Sequence, residues 1–250
     1  MTPTHPDAST FRRILAVDTA TRTQTLALVE GDLLLERSQR RVKFNHGSSL
    51  LAHVATMLEE QEIGVDELDL IAVGLGPGSF TGLRVGLAMA KSLARAHHIE
   101  LVGVSTLAAI AYPWILANPD AAVCCALDAR RAEVYAGIYA RDIPSNNQPG
   151  RSLTPIHEDH TASCEQLRER LLDLAQTRPV ILISDAAHKY AALTDFPTQS
   201  ITVMPAWAAV PPALSIALIA REKARAGKLD DIARLEPNYI RPTDAEIKFG

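Results

Sequence analysis

Cysteine is scarce in this chain: Cys124, Cys125 and Cys164 are the three among 250 residues. None is spaced as C-x-x-C, and two adjacent strand residues face opposite ways, so neither a zinc site nor a disulfide framework is expected. No apolar run reaches the ~18 residues of a membrane span. The first ten residues are polar and proline-containing, with neither the basic nor the apolar region of a signal peptide. The expectations are a disordered tail over 1–10 and a cytoplasmic protein that touches no membrane. A charge excess is lacking too: Lys and Arg total 25 against 29 Asp and Glu, a net −4. That excludes wholesale coating by nucleic acid and leaves any RNA contact to a local patch or a partner.

The signatures of common chemistries are missing as well. Among eight histidines no pair forms H-x-x-x-H, no serine sits in G-x-S-x-G, and no cysteine has an evident base partner. His157-Glu158-Asp159-His160 reads as a polar turn, and His97-His98 as solvated groups at a helix C-terminus, where cations suit the dipole. Arg84, Arg130 and Arg131 are the best fixed cations, as surface groups or as an anion site. No catalytic residue, metal or cofactor is expected from these residues alone.

What is there is concentrated in Gly74-Leu75-Gly76-Pro77-Gly78-Ser79-Phe80-Thr81-Gly82-Leu83-Arg84, which holds four of the thirteen glycines. The apolar run Leu70–Val73 before it reads as a strand, and a helical pattern follows from Thr81 to about His97. Strand, glycine-rich turn and helix can aim backbone N–H groups at an anion. The spacing is neither G-x-x-x-x-G-K-[ST] nor G-x-G-x-x-G. A tight structural turn and a ligand loop therefore stand as alternatives. Along the helix, Gly82, Gly86, Ala90 and Ala94 recur every four residues. Such a row lets another backbone approach closely, either the protein's own sheet or a partner.

Taken in order, Ile14–Val17 is a strand ending at Asp18, and Leu26–Val29 completes a hairpin. Leu33–Leu35 starts a third strand, and Gly47–Gln61 is an amphipathic helix with Leu50, Leu51, Val54, Met57 and Leu58 inside. Leu101–Val104 is a strand, and Ser105-Thr106 caps a helix that Pro113 is expected to bend or end. The opening pattern then returns: Val123–Leu127 ends at Asp128, and Val134–Tyr139 follows. After an exposed loop over 142–150 come a strand through Leu153 and a helix with a Ser163/Gln166 capping box. Strands at Val180–Ile183 and Ile201–Met204 precede a helix opened by Pro211-Pro212 and closed by Gly227. A duplicated α/β half with an acid after each first strand suggests two similar lobes. Asp18 and Asp128 could hold a divalent cation with its phosphates, or each could cap its own turn.

At this point the residues resemble a known family. Ile14–Thr19, His46 with Leu50-Leu51, the glycine-rich stretch, Gly103–Leu107, Asp128–Tyr135 and Pro237–Arg241 are similar, in order, to the TsaB (YeaZ) family of threonylcarbamoyladenosine biosynthesis proteins. Ser49, Ala52 and Ala132 depart from its usual residues. The resemblance implies an α/β fold of the two-lobed actin, Hsp70 and sugar-kinase (ribonuclease H-like) type with duplicated lobes. These are expected over 11–109 and 110–211, with the helix 212–227 packing back on the first lobe and an extended tail over 228–250. It implies a non-catalytic scaffold that activates a catalytic paralogue, TsaD, in transferring a threonylcarbamoyl group to the adenosine next to the anticodon. The paralogue's H-x-x-x-H metal site would fall here on Thr106 and Ile110. An ATPase, TsaE, would join the complex, tRNA would be met indirectly, and the chain could pair with itself when alone. The partner interface would comprise Leu50, Val54, Met57, Gly82, Gly86, Ala90 and Ala94. The motif loop would be Gly76, Pro77, Gly78, Ser79, Phe80, Thr81, Gly82 and Arg84. The alternatives are a nucleotide-binding module using Asp18, Thr19 and Asp128, and a glycoprotease-like metallopeptidase.

Overall fold

The computed structural model describes residues 11–42, 47–141 and 153–241. His46, the expected tail over 1–10, the loop 142–150 and the last nine residues lie outside these. Contacts divide the chain into two units: residues up to Thr106 together with Pro211–Asn238, and Leu107–Val210 together with the residues from Tyr239 onward.

In the first unit, Arg13–Asp18 (β1) and Thr23–Glu30 (β2) are buried along almost their whole length, as strands covered on both faces must be. They are joined by Leu33–Arg41 (β3), Leu70–Gly74 (β4) and Glu100–Val104 (β5) in a five-stranded sheet of order β3-β2-β1-β4-β5. The first three strands pair antiparallel, and β1-β4 and β4-β5 pair parallel. Gly47–Glu60 (α1) and Phe80–His97 (α2) cover the face that carries Leu15, Val17, Leu26 and Leu28, burying Leu50, Val54, Met57, Ala90 and Ala94 there.

The second unit repeats this order. Ala122–Arg130 (β6), Glu133–Arg141 (β7) and Leu153–Ser163 (β8) form an antiparallel meander, and Val180–Ser184 (β9) and Ile201–Met204 (β10) extend β6 in parallel. The resulting order, β10-β9-β6-β7-β8, is the first sheet's order read from the other side. Cys164–Leu174 (α4) buries Leu167 and Leu171 against Cys124, Ala126, Val134 and Ile138. Its capping box is made as the S-x-x-Q spacing predicts: Ser163 Oγ accepts from Gln166 N, and Gln166 Oε1 accepts from Ser163 N, both at 3.1 Å. The two sheets of mixed strands and helices confirm the duplicated α/β fold.

Three sequence readings are corrected. Thr106–Ala117 (α3) runs through Pro113 to Ala117 instead of ending there. Its apolar residues are buried nearly all round, which holds the helix despite the backbone bond that proline removes. His157–His160 is part of β8, not a turn. The segment after Gly227 does not simply extend. Asp230 N donates to Leu101 O at 3.0 Å, Gly103 N donates to Asp230 Oδ2 at 2.8 Å, and Ile232 and Leu235 pack on the first core. This covers the edge of β5, whose unpaired backbone would otherwise invite another strand.

Ala213–Arg225 (α5) packs against β1, β2 and β5 of the first unit. Two cations pin it. Arg221, 7% exposed, donates to Gly31 O and pairs with Asp32, and Lys223 Nζ donates to Gly103 O at 2.6 Å. The helix following β5 thus goes with the second unit, and the helix following β10 goes with the first.

Candidate functional site

The glycine-rich stretch closes on the turn that follows β1. Asp18 is wholly buried; its Oδ2 accepts from Thr106 Oγ1 at 2.7 Å and its Oδ1 from Ala20 N at 2.8 Å. Burial pushes its carboxyl up to about 6, against the pull of those two donors. Thr106 ties this carboxylate to the loop: its Oγ1 accepts from Gly76 N at 3.1 Å, and its backbone N donates to Gly76 O at 2.8 Å.

The glycines are needed because the turn occupies the space their side chains would take. A Cβ on Gly74 would lie 1.9 Å from Asp18 Oδ2, one on Gly78 would lie 2.3 Å from Ala20 O, and one on Gly82 would lie 2.0 Å from Thr19 O. At Gly86 the obstacle is Thr19 Oγ1 at 2.3 Å. Thr19 Oγ1 itself donates to Gly82 O at 2.7 Å, and Ser79 N donates to Ala20 O at 2.6 Å. Gly76, at φ +91°, also needs the freedom of glycine. Ser79 then caps α2, accepting from Gly82 N at 3.3 Å.

The loop is therefore a structural clasp. Asp18 and Thr19 were candidate nucleotide ligands; the structure corrects this, because one is wholly buried, the other nearly so, and both spend their polar atoms inside the fold. The interface candidates Leu50, Val54, Met57, Gly82, Gly86, Ala90 and Ala94 are likewise corrected. All are buried in the chain's own first unit, and the small-residue row admits Thr19 and the sheet. Outward, the loop offers Ser79, Thr81 and Arg84, with the Arg84 guanidinium 3.8 Å from the Phe80 ring centroid.

In the second unit, Asp128 Oδ1 accepts from Arg130 N at 2.9 Å, and its other oxygen pairs with Lys189. Burial works to raise its carboxyl, but Lys189 and the Arg130 amide outweigh this and hold it below the ordinary range. Arg130, Arg131 and Ala132 all have positive φ, which puts three side-chain-bearing residues in a row in the left-handed region. His160 bridges Glu158 O at 2.8 Å and Arg170 Nη1 at 2.6 Å. Among the described residues no group of three or more His, Cys, Asp or Glu is placed to hold a metal, and no helix is long and apolar enough to cross a membrane.

The sequence reading missed the role of Thr106 and the tail contacts of Asp230 and Arg241. Arg241 donates to Ala129 O and pairs with Glu133, each at 2.9 Å. The signal for Thr106 was available in the glycine at the end of β4, which marks a close approach.

A family model described as TsaD, tRNA N6-adenosine threonylcarbamoyltransferase, matches residues 40–148. The tRNA threonylcarbamoyladenosine biosynthesis protein TsaB of Bacillus subtilis is 29% identical over 241 residues, covering 94% of this chain and 97% of that protein. The Escherichia coli protein of the same description is 36% identical over 130 residues, a match spanning 52% of this chain and 56% of that one. Among solved structures, YeaZ from Pseudomonas aeruginosa superposes with a TM-score of 0.74 at 22% identity, over 91% of this chain and 99% of that one. Over nearly its whole length the chain is thus similar in sequence to a TsaB protein and in fold to YeaZ.

Proposed function

We propose that this chain takes part in tRNA threonylcarbamoyladenosine biosynthesis as a non-catalytic subunit that holds and activates a TsaD-type transferase. The observation that carries the reading is the clasp. The strand-end carboxylate and the glycine loop, which could have formed a phosphate site, are engaged with each other through Thr106. Where the resemblance would put the transferase's paired histidines stand Thr106, committed to Asp18, and Ile110, 1% exposed. A hydroxyl and an aliphatic chain do not replace two imidazoles on a metal.

The family relationship supports the role in tRNA modification, and the TsaD match over residues 40–148 supports kinship with the transferase. The partner docks on the outward faces of α1 and α2, where Leu51 is 53% exposed, Ala55 and Ala88 are open, and Arg84 stacks on Phe80. An ATPase completes the complex, and tRNA is met through it.

The test is a reconstituted tRNA-modification assay with the other components held constant. Modification should stop without this chain, return when it is added, and fall at least tenfold with Leu51→Glu, a charge placed at an apolar contact. Modification that proceeds unchanged without the chain defeats the reading.

A further inference from the structure

The inner face of α1 is apolar only where it meets the middle of the first sheet. Towards the outer strand the chemistry changes. In the β2–β3 register Leu28 lies opposite Glu36 and Gln24 opposite Arg40, so both charged residues share the face that α1 covers. On α1, His53, Thr56 and Glu60 follow at helical spacing along the same side. Between them runs an open groove of about 450 Å³, lined by Glu36, Arg40, His53, Thr56 and Glu60 among others. That volume falls within the ~300–1,000 Å³ of small-molecule sites.

The groove is polarised along its length. Gln61, just past the end of α1, donates to Glu36 at 3.2 Å, which sets Glu36 near the Glu60 end. Four residues along β3, about 13 Å at the usual rise, is Arg40. His53 belongs to that second end: the buried Gln24 amide lies 3.3 Å from its Nδ1. Burial first, and then the neighbouring Arg40 cation, lower the proton affinity of the imidazole, while Glu36 and Glu60 act in the opposite sense. With Nδ1 accepting from Gln24, the neutral ring keeps an N–H donor at Nε2. Among the described residues neither the Arg40 guanidinium nor the Glu60 carboxylate has a hydrogen-bond or ion-pair partner. The groove thus presents two carboxylates at one end, and a guanidinium with a neutral N–H donor at the other, for a net charge of −1.

We propose that this groove binds a free basic α-amino acid, of the arginine or lysine class. The α-carboxylate meets Arg40 and the His53 N–H, and the cation at the end of the side chain reaches Glu36 and Glu60. The ligand's net +1 complements the groove, and its extended length suits the separation of the charged ends. A carboxylate on a guanidinium is the stronger, charge-assisted contact and fixes the orientation.

Isothermal titration of the full chain at neutral pH tests this, with L-arginine and L-lysine as ligands. Agmatine, which lacks the carboxylate, and L-glutamate, of the wrong charge, serve as controls. Saturable binding of both basic amino acids is expected, with agmatine and the Arg40→Gln and Glu60→Gln variants each weaker by about tenfold, the loss of one charged contact. Both side chains lie on the exposed surface, so the variants should melt as the parent does. Agmatine binding as tightly as arginine would mean that the groove reads a basic side chain of a protein partner, and overturns the proposal. So does glutamate binding equally well, affinity unchanged in both variants, or no saturable binding up to about 10 mM.

Discussion

Asp18 is a carboxylate placed where no solvent reaches it, held by one hydroxyl and one amide. Its rise to about 6 is mainly the cost of burial and favours the neutral acid in the folded state. A carboxyl whose proton affinity is raised by folding stabilises fully at pH values below its unfolded value, near 4, and loses that contribution as pH climbs through about 6. The loss is roughly 3 kcal/mol at neutral pH. Asp18→Asn has no charge to bury. Relative to the parent it should gain about that amount between pH 4 and pH 7, read from urea unfolding at each pH; a constant difference would show that Asp18 does not titrate in this window. The sequence revealed this acid, because an apolar run that stops at Asp before a polar turn is a local signal. It could not reveal the donor, since Thr106 lies 88 positions away and only the fold brings the two together.

Among the elements, α2 shows where a pattern has two meanings. The row Gly82, Gly86, Ala90, Ala94 says that something approaches closely, and a sheet or a partner would leave the same trace. Thr19 decides it, filling the space beside Gly82 and Gly86. Gly86→Leu should therefore cost the isolated chain about 1 to 3 kcal/mol or more through overpacking, measured as a lowered melting temperature by circular dichroism. An unchanged melt would mean that the face is open and available for pairing. The amphipathic helix α1 was legible from its spacing, and so was the capping box of α4. The extent of β8 was not, because His157, Glu158, Asp159 and His160 carry none of the apolar alternation that marks a strand with one buried face. Edge strands escape that rule.

For the whole molecule, the duplication could be read from two hairpins, each with an Asp closing the apolar run of its first strand, and the sheet orders agree with it. Which helix completes which sheet was harder to see. A helix's apolar face names no partner, and α3, apolar on all sides, carries no directional signal. The consequence is that the first unit is not contiguous in sequence: all five of its strands are complete by Val104, yet α5 and the residues through Asn238 belong to it. A chain ending at Val210 keeps every strand but loses the buried face of Ile216, Ala217, Ala220 and Ala224, together with the Arg221 and Lys223 contacts. Limited proteolysis of that truncation should cut rapidly within β1–β5 and spare β6–β10; protection of both would show that the first unit closes without α5.

The same feature sets an order in time. On the ribosome, β1 emerges roughly 10–40 s before α5, at ordinary rates of synthesis. Throughout that interval the first sheet lacks one of its covering helices and the segment that shields β5. The second unit's strands and helices, by contrast, arrive in one uninterrupted stretch from Leu107 to Val210. The usual sequence of events during translation is thereby altered: the half whose strands are made first is completed only after every strand of the second unit has been made, when residues 211–238 arrive.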